Sequence, residues 1–324
     1  MNHAIRFHRT GGPEVLQWEA VEPPPPGPGE VRLRHHAVGL NFIDTYHRSG
    51  LYPVPLPSGL GQEAAGVVEA LGEGVAEFAI GDRVAYTGGA LGAYAEVRNI
   101  DAGQLVPLPP DISFEQGAAM MMQGLTAQYL LRRTYRVQPG DTLLIHAAAG
   151  GVGTIACQWA KALGATVIGT VSSEEKAAIA RAHGCDYPII YTRENFVERV
   201  REITGGEGVP VVYDSIGKDT FMDSLACLRP LGLMVLFGAS SGPVPPFDCT
   251  VLARMGSLFL TRPTLFTYAA KRADLLAMAG ELFDVVASGK VRVEINQRYA
   301  LRDAAQAHRD LEGRRTTGST VLVP

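Results

Sequence analysis

Hydrophobic and polar positions change rhythm twice along the chain. Up to about residue 120, apolar residues come in short runs broken by glycine and proline, such as Val31-Arg-Leu-Arg34, Ala65-Gly-Val-Val-Glu-Ala70 and Asp82-Arg-Val-Ala-Tyr86. Short runs of this kind between turn residues predict a compact all-β segment, not a doubly wound one. The tract Pro23-Pro-Pro-Pro-Gly-Pro-Gly29 reads as an extended surface connection between two of them. From about residue 123 to 262, strand-type runs (142–147, 166–171, 187–190, 209–214, 232–237 and 257–261) alternate with helical stretches (153–163, 174–183, 194–203 and 218–228). That order predicts an α/β fold with a doubly wound, six-stranded parallel sheet of the dinucleotide-binding, or Rossmann, type. Beyond it come a helical stretch near 270–288, a strand from Val291 to Ile295, a helix near 302–312 and a closing strand from Ser319. This tail is too short to be a domain and is expected to return to the first segment. The expected division is therefore 1–122 plus 263–324 as one domain, with 123–262 inserted into it.

The junction at the first parallel strand carries the strongest local signal. Thr142-Leu-Leu-Ile-His-Ala-Ala-Ala-Gly150-Gly151-Val152-Gly153 reads as a buried strand, a glycine-rich turn and a helix start. Such a turn lets main-chain N–H groups approach a pyrophosphate at the positive end of a helix dipole. Gly150 and Gly153 take two positions of G-x-G-x-x-G, and Ala148 takes the first. Downstream, Ile155, Ala156, Trp159, Ala160 and Leu163 are spaced as one apolar helical face.

The end of the second strand bears on the cofactor. NAD-binding folds place Asp or Glu there to hold the ribose 2′-OH, and a carboxylate would repel a 2′-phosphate. This strand ends Thr170-Val171-Ser172-Ser173, without an acid. Ser172, Lys176 in the next helix and Tyr191 after the third strand are the expected 2′-phosphate partners, which favours NADPH. Ser172 or Ser173 also suits a helix N-cap, and Lys176 also suits a solvated surface. The strand ends around Phe237, Gly238 and Ser240, and around Thr261, Arg262 and Pro263, are expected to complete the cofactor groove.

Composition narrows the classes. The chain has 324 residues and a net charge of −4, with no basic block, so neither nucleic acid nor an anionic membrane is an expected partner. No signal-peptide-like start or membrane-length apolar run is present, which makes a soluble cytoplasmic protein the expectation. Cys157, Cys185, Cys227 and Cys249 lie too far apart for a zinc knuckle and read as reduced thiols in or near a core.

The run Gly140-Asp141-x-x-Leu144-x-x-x-Ala148-Ala149-Gly150-Gly151-Val152-Gly153-x-x-x-x-Gln158-x-x-Lys161 resembles the signature of the quinone oxidoreductase and ζ-crystallin group of the medium-chain dehydrogenase/reductase superfamily. Gly11–Leu16, Val38–Tyr46, Gly61–Gly72 and Gly81–Val84 resemble further segments of that group in the same order. The resemblance implies a GroES-like β-rich catalytic domain, an inserted Rossmann domain, NADPH and a homodimer. It implies that Asn41, Tyr46, Gln62 and Thr126 line the nicotinamide end, with Asp44 close by, and that a small quinone binds in the interdomain cleft. Tyr46 would be a protonated donor to the acceptor oxygen, while Asn41 and Gln62 position it. Packing (Tyr46), space filling (Gln62) and helix capping (Asp44) are the competing roles.

Zinc-dependent members of that superfamily have Cys near the position of Asn41, and Gly-His-Glu where this chain has Gly61-Gln62-Glu63. They also have Cys in the region that here reads Met120-Met-Met-Gln-Gly-Leu-Thr126. No cysteine occurs in residues 1–156, and His35, His36 and His47 make no recognisable ligand set, so no metal is expected. Without a Lewis acid, an acceptor that is already electron-poor is the natural substrate. A quinone fits; an enone or alkenal double bond is the alternative. A low-turnover nucleotide- or RNA-binding protein of crystallin type is a third reading. The apolar last strand of the sheet, Ser257-Leu-Phe-Leu-Thr261, leaves an edge that a twin would cover.

Overall fold

The computed structural model describes residues 1–324 and separates into two compact units. One comprises Met1–Gln123, Lys271–Phe283 and Val293–Pro324; the other comprises Gly124–Ala270 and Asp284–Arg292.

The first unit is built on a sheet whose strands run, in spatial order, Ile295–Ala300, Ser319–Val323, Glu30–Leu40, Glu63–Leu71, Arg83–Thr87 and Leu105–Pro107, with Val97–Asp101 also pairing with Glu30–Leu40. The C-terminal strand is antiparallel to the long N-terminal one, with Thr320 opposite Leu40 and Leu322 opposite Val38. This ladder ties the end of the chain to its beginning. Alternation along Glu30–Leu40, reset by a register shift between His35 and Ala37, puts Val31, Leu33, Val38 and Leu40 into a core with Leu60, Val68, Val84, Tyr86, Tyr94 and Leu105. The unit is not purely β: Phe42–Ser49 forms a helix between two strands, opened at Asn41 and closed by Gly50 at φ +87°. His47 lies on that helix, whereas His35 and His36 lie on the long strand.

The second unit contains the expected six parallel strands. Numbered by chain order, they lie side by side as third, second, first, fourth, fifth and sixth, from Tyr187–Ile190 across to Phe259–Thr261. This is the doubly wound Rossmann order, in which the carboxyl ends of the strands form the ligand edge. The strand Val209–Asp214 is buried at every position, as a central parallel strand covered on both faces must be.

Three elements differ from the sequence expectation. Residues 291–295 alternate like a strand, yet the strand begins only at Ile295. The Gln158 side chain occupies the main chain there, donating to Arg292 O at 3.0 Å and accepting from Arg292 N at 2.9 Å. This clamp draws residues 284–292 to the parallel-sheet unit. Residues 263–270 also join it, since Tyr268 stacks on Tyr129 with ring centroids 4.6 Å apart and its hydroxyl meets Thr134 Oγ1 at 2.8 Å. Finally, Phe114–Tyr129 is a long helix with no amphipathic stripe, because Ala118, Ala119, Met120, Met121 and Leu125 are all buried. Three cysteines are buried, and Cys249 is exposed.

Candidate active and cofactor site

The glycine turn is held by its neighbours. Ala147, at φ +54°, adopts the left-handed conformation that the motif normally reserves for glycine, and Gly150 N donates back to Ala147 O at 2.9 Å. Ala148 is not the strained residue; it is fully buried, and Gly169 on the neighbouring strand makes room for it. A Cβ on Gly169 would lie 2.6 Å from the Ala148 Cβ. Gly150 is the extended N-cap of the helix Gly151–Ala162. The first intrahelical bond runs from Thr154 N to Gly150 O, at 2.8 Å. The amides of Gly151, Val152 and Gly153 therefore have no intrahelical acceptor and face the N-terminal end, where an anion is favoured. A Cβ on Gly153 would sit 2.2 Å from Ala147 O, so this glycine lets the helix close onto the strand.

Beneath the turn, His146 knits three strand ends together. Its Nδ1 meets Thr170 Oγ1 at 2.8 Å and its Nε2 meets Ser224 Oγ at 2.9 Å; Ser224 Oγ in turn donates to Asp214 Oδ2 at 2.8 Å. Burial lowers the His146 pKa. The residues resemble a hydrolytic triad in type only: Ser224 is completely buried, and the network is scaffolding.

Helix capping at the second strand is resolved in favour of Ser173, whose Oγ accepts from Lys176 N at 3.3 Å. Ser172 precedes the cap, at the carboxyl end of Thr166–Val171. Tyr191 follows the adjacent strand and donates its amide to Val171 O at 3.1 Å, which places Ser172 and Tyr191 side by side on the ligand edge. Arg193, with its guanidinium 3.4 Å from Glu174, is a second cation nearby that no motif in the sequence marks. Phe237, Gly238 and Ser240 follow the fifth strand, with amide bonds to Asp214 O and Ser215 O, and Thr261 ends the sixth before Arg262 and Pro263. Thr126 is buried on the helix Phe114–Tyr129, in this same unit.

The β-rich unit holds Asn41, Asp44, Tyr46 and Gln62, all buried. Asp44 takes the capping role: its Oδ2 accepts from Asn41 N at 2.9 Å and from Tyr94 Oη at 2.9 Å. Tyr94 Oη also meets His308 Nε2 at 3.1 Å, and Arg48 Nη1 meets His308 Nδ1 at 2.9 Å. Arg48 also binds Glu312 through two nitrogens, at 3.0 and 2.6 Å. Burial raises Asp44 to a pKa of about 7, against its bonds from Asn41 and Tyr94; burial and the neighbouring Arg48 lower His308 to about 3. Nothing in the sequence marked this chain of side chains, since bonded partners in it lie as far as 264 residues apart.

Tyr46 is packed edge-on against Phe42 and Tyr52, with centroids at 5.6 and 5.2 Å. Gln62 Nε2 donates to Gly89 O at 2.8 Å, while its buried Oε1 has no partner. An acceptor left unsatisfied inside a protein is costly, so a hydrogen-bond donor is the complement it lacks. Asn41 turns its side chain away from the helix, donating to Glu63 and accepting from Gln123 Nε2 at 3.3 Å. These residues do not suit zinc: Asn41 and Gln62 offer only neutral amides in place of thiolate or imidazole, and no group of three or more His, Cys, Asp or Glu side chains is placed to hold a metal ion.

A β-rich unit of this kind together with a Rossmann sheet defines the medium-chain dehydrogenase/reductase class, and family models agree. Residues 27–110 match the alcohol dehydrogenase GroES-like domain and 151–280 the domain described as zinc-binding dehydrogenase. A quinone oxidoreductase from Pseudomonas aeruginosa is 58% identical, with all of both chains covered. The solved Escherichia coli quinone oxidoreductase complexed with NADPH is 52% identical at a TM-score of 0.98, over 99% of this chain and 100% of that one. A 2-haloacrylate reductase from Burkholderia is 49% identical over 99% of this chain and 98% of its own length. The chain belongs to the quinone oxidoreductase family.

Proposed function

We infer that this protein is an NADPH-dependent quinone reductase that works without a metal. The observation that carries the reading is the ligand edge of the sheet: a glycine turn with three unpaired helix-start amides, beside a second strand that is followed by Ser172 instead of an acid, with Lys176 in the next helix. NADPH supplies the reducing electrons when bound. Gly150, Gly151, Val152 and Gly153 hold its pyrophosphate, and Ser172, Lys176 and Tyr191 hold the 2′-phosphate. Phe237, Gly238, Ser240, Thr261, Arg262 and Pro263 border the rest of the cofactor.

Asn41, Tyr46, Gln62 and Thr126 serve the nicotinamide and the acceptor. The unsatisfied Gln62 Oε1 suits an amide donor such as the nicotinamide carboxamide. As electrons enter a quinone, negative charge develops on its carbonyl oxygen, and Asn41 and Tyr46 are the donors available to stabilise it. Asp44 acts one step back, through the main chain of Asn41. A second reading, reduction of an electron-poor alkene, is favoured by the 2-haloacrylate reductase relative, and the same donors would serve an enone oxygen.

No helix is long and apolar enough to cross a membrane, and the chain carries a net charge of −4; a cytoplasmic protein without a nucleic-acid partner fits both. A homodimer would cover the edge strand Phe259–Thr261, where Phe259 is 60% exposed.

The cofactor assignment is tested by Lys176→Ala. Losing a charged partner of the 2′-phosphate is expected to raise KM for NADPH about 10-fold or more. KM for NADH should be nearly unchanged. Equal effects on both cofactors would remove Lys176 from the phosphate site.

A further inference from the structure

The Asn41 side chain belongs to a string of hydrogen bonds that has a direction. Glu63, on the strand Glu63–Leu71, is completely buried. Its Oε1 accepts from Met122 N at 2.7 Å, and its Oε2 accepts from Asn41 Nδ2. Asn41 Oδ1 accepts from Gln123 Nε2 at 3.3 Å, and Gln123 Oε1 accepts from Ser319 Oγ at 2.7 Å. Every donor along Ser319, Gln123 and Asn41 thus points toward the Glu63 carboxylate.

The same string can run backwards without losing a bond. Ser319 Oγ also lies 3.1 Å from Ala119 O, so its single proton has a second acceptor. If Asn41 and Gln123 each turn their amide groups over, Asn41 donates to Gln123, Gln123 donates to Ser319, and Ser319 donates to Ala119 O. The Glu63 end decides between the two directions. A carboxylate only accepts, so it requires Asn41 Nδ2 to face it, whereas a protonated acid or an amide offers a donor and turns Asn41 Oδ1 toward itself.

The direction matters because Asn41 Nδ2 carries two hydrogens and Glu63 takes one. Asn41 keeps 7% of its surface accessible. In the observed direction its amide has a second N–H to offer a ligand; in the reversed direction it has a lone pair instead. We propose that Glu63 is the positioning residue for Asn41, its carboxylate setting the direction of the Asn41–Gln123–Ser319 string so that the second Nδ2 hydrogen is offered to the carbonyl oxygen of a bound quinone. This rests on the reading that Asn41 serves the acceptor.

The string is also sensitive to protons. Burial raises the Glu63 pKa to about 8; the bonds from Asn41 and Met122 oppose the rise and the Asp44 charge adds to it. Among the elements packed around Glu63, the helix Phe42–Ser49 contributes Asp44, the strand Arg83–Thr87 contributes Tyr86, and the segment after it contributes Tyr94. The long strand contributes Gly39 and the helix Phe114–Tyr129 contributes main-chain amide and carbonyl groups. Protonation reverses the string, so turnover is expected to fall as pH drops through the Glu63 pKa.

The test is Glu63→Gln beside Asn41→Ala and the double variant, assayed with NADPH and 1,4-naphthoquinone across pH. In E63Q the new amide satisfies Met122 N and donates to Asn41 Oδ1, so folding is retained with the string reversed. A misplaced donor lowers kcat by about 10- to 100-fold with KM for NADPH little changed. The acid limb of the wild-type profile should disappear in E63Q, and the double variant should be no slower than N41A. If N41A loses turnover but E63Q keeps the wild-type rate and acid limb, the proposal is wrong and the reading of Asn41 stands. If N41A turns over normally, the reading itself fails and takes the proposal with it. Additive losses in the double variant would also overturn it, because Glu63 would then act by another route. The wild-type profile is a check that needs no substitution: a rate that stays flat as pH falls through about 8 contradicts the proposal.

Discussion

Gly153→Ala is expected to lose NADPH affinity by about 10- to 100-fold and to cost about 1–3 kcal/mol of stability. The added Cβ would sit 2.2 Å from Ala147 O and 2.8 Å from the Ala148 backbone. Neither neighbour can yield cheaply. Ala147 is already left-handed at φ +54°, and Ala148 is fixed through its amide to Thr170 O at 3.1 Å. Relief must come from moving the helix start away from the strand, which displaces the amides of Gly151, Val152 and Gly153 that are proposed to hold the pyrophosphate. Fluorescence titration with NADPH and a thermal melt measure the two effects. Wild-type affinity in a folded variant would mean that the cofactor does not rest on this turn.

A comparable clash awaits Gly39→Ala in the β-rich unit. A Cβ there would lie 2.2 Å from Glu63 Oε2 and 2.3 Å from Ala118 O. The carboxylate could swing, but it would leave Asn41 Nδ2 and Met122 N without their acceptor in the core. The carbonyl belongs to the buried helix Phe114–Tyr129 and cannot move alone. Either response costs about 2–3 kcal/mol. A lower melting temperature is expected together with a fall in kcat, since Asn41 loses its anchor. The glycine turn proposed to bind NADPH lies in the other unit, so cofactor affinity should be affected least. A variant as stable and as active as the wild type would show that Glu63 is not held where Gly39 leaves room for it.

Much of this site was legible because it is local. The six parallel strands, the Gly150–Gly153 turn and the acid-free end at Ser172 each arise from residues close in sequence, where period and turn chemistry act directly. What was missed depends on residues brought together from afar. Residues 291–295 alternate as a strand should, but Gln158 takes the Arg292 main chain that a ladder would need. The helix Phe114–Tyr129 is buried on so many sides that it has no period to read. The strained alanine is Ala147, one residue before the position that the glycine motif indicates, and the space for Ala148 comes from Gly169 on another strand. Glu63 stood beside Gln62 in a recognised segment, but its link to Gln123 and Ser319 exists only once the C-terminal strand has paired with Glu30–Leu40.

The most direct measurement is kcat/KM with 1,4-naphthoquinone for NADPH against NADH, on protein dialysed against a chelator and shown by elemental analysis to be free of zinc. Full turnover is expected, with a preference for NADPH of about 10-fold or more, matching one charged contact to the 2′-phosphate. Equal use of the two cofactors, or activity that requires added zinc, would contradict it.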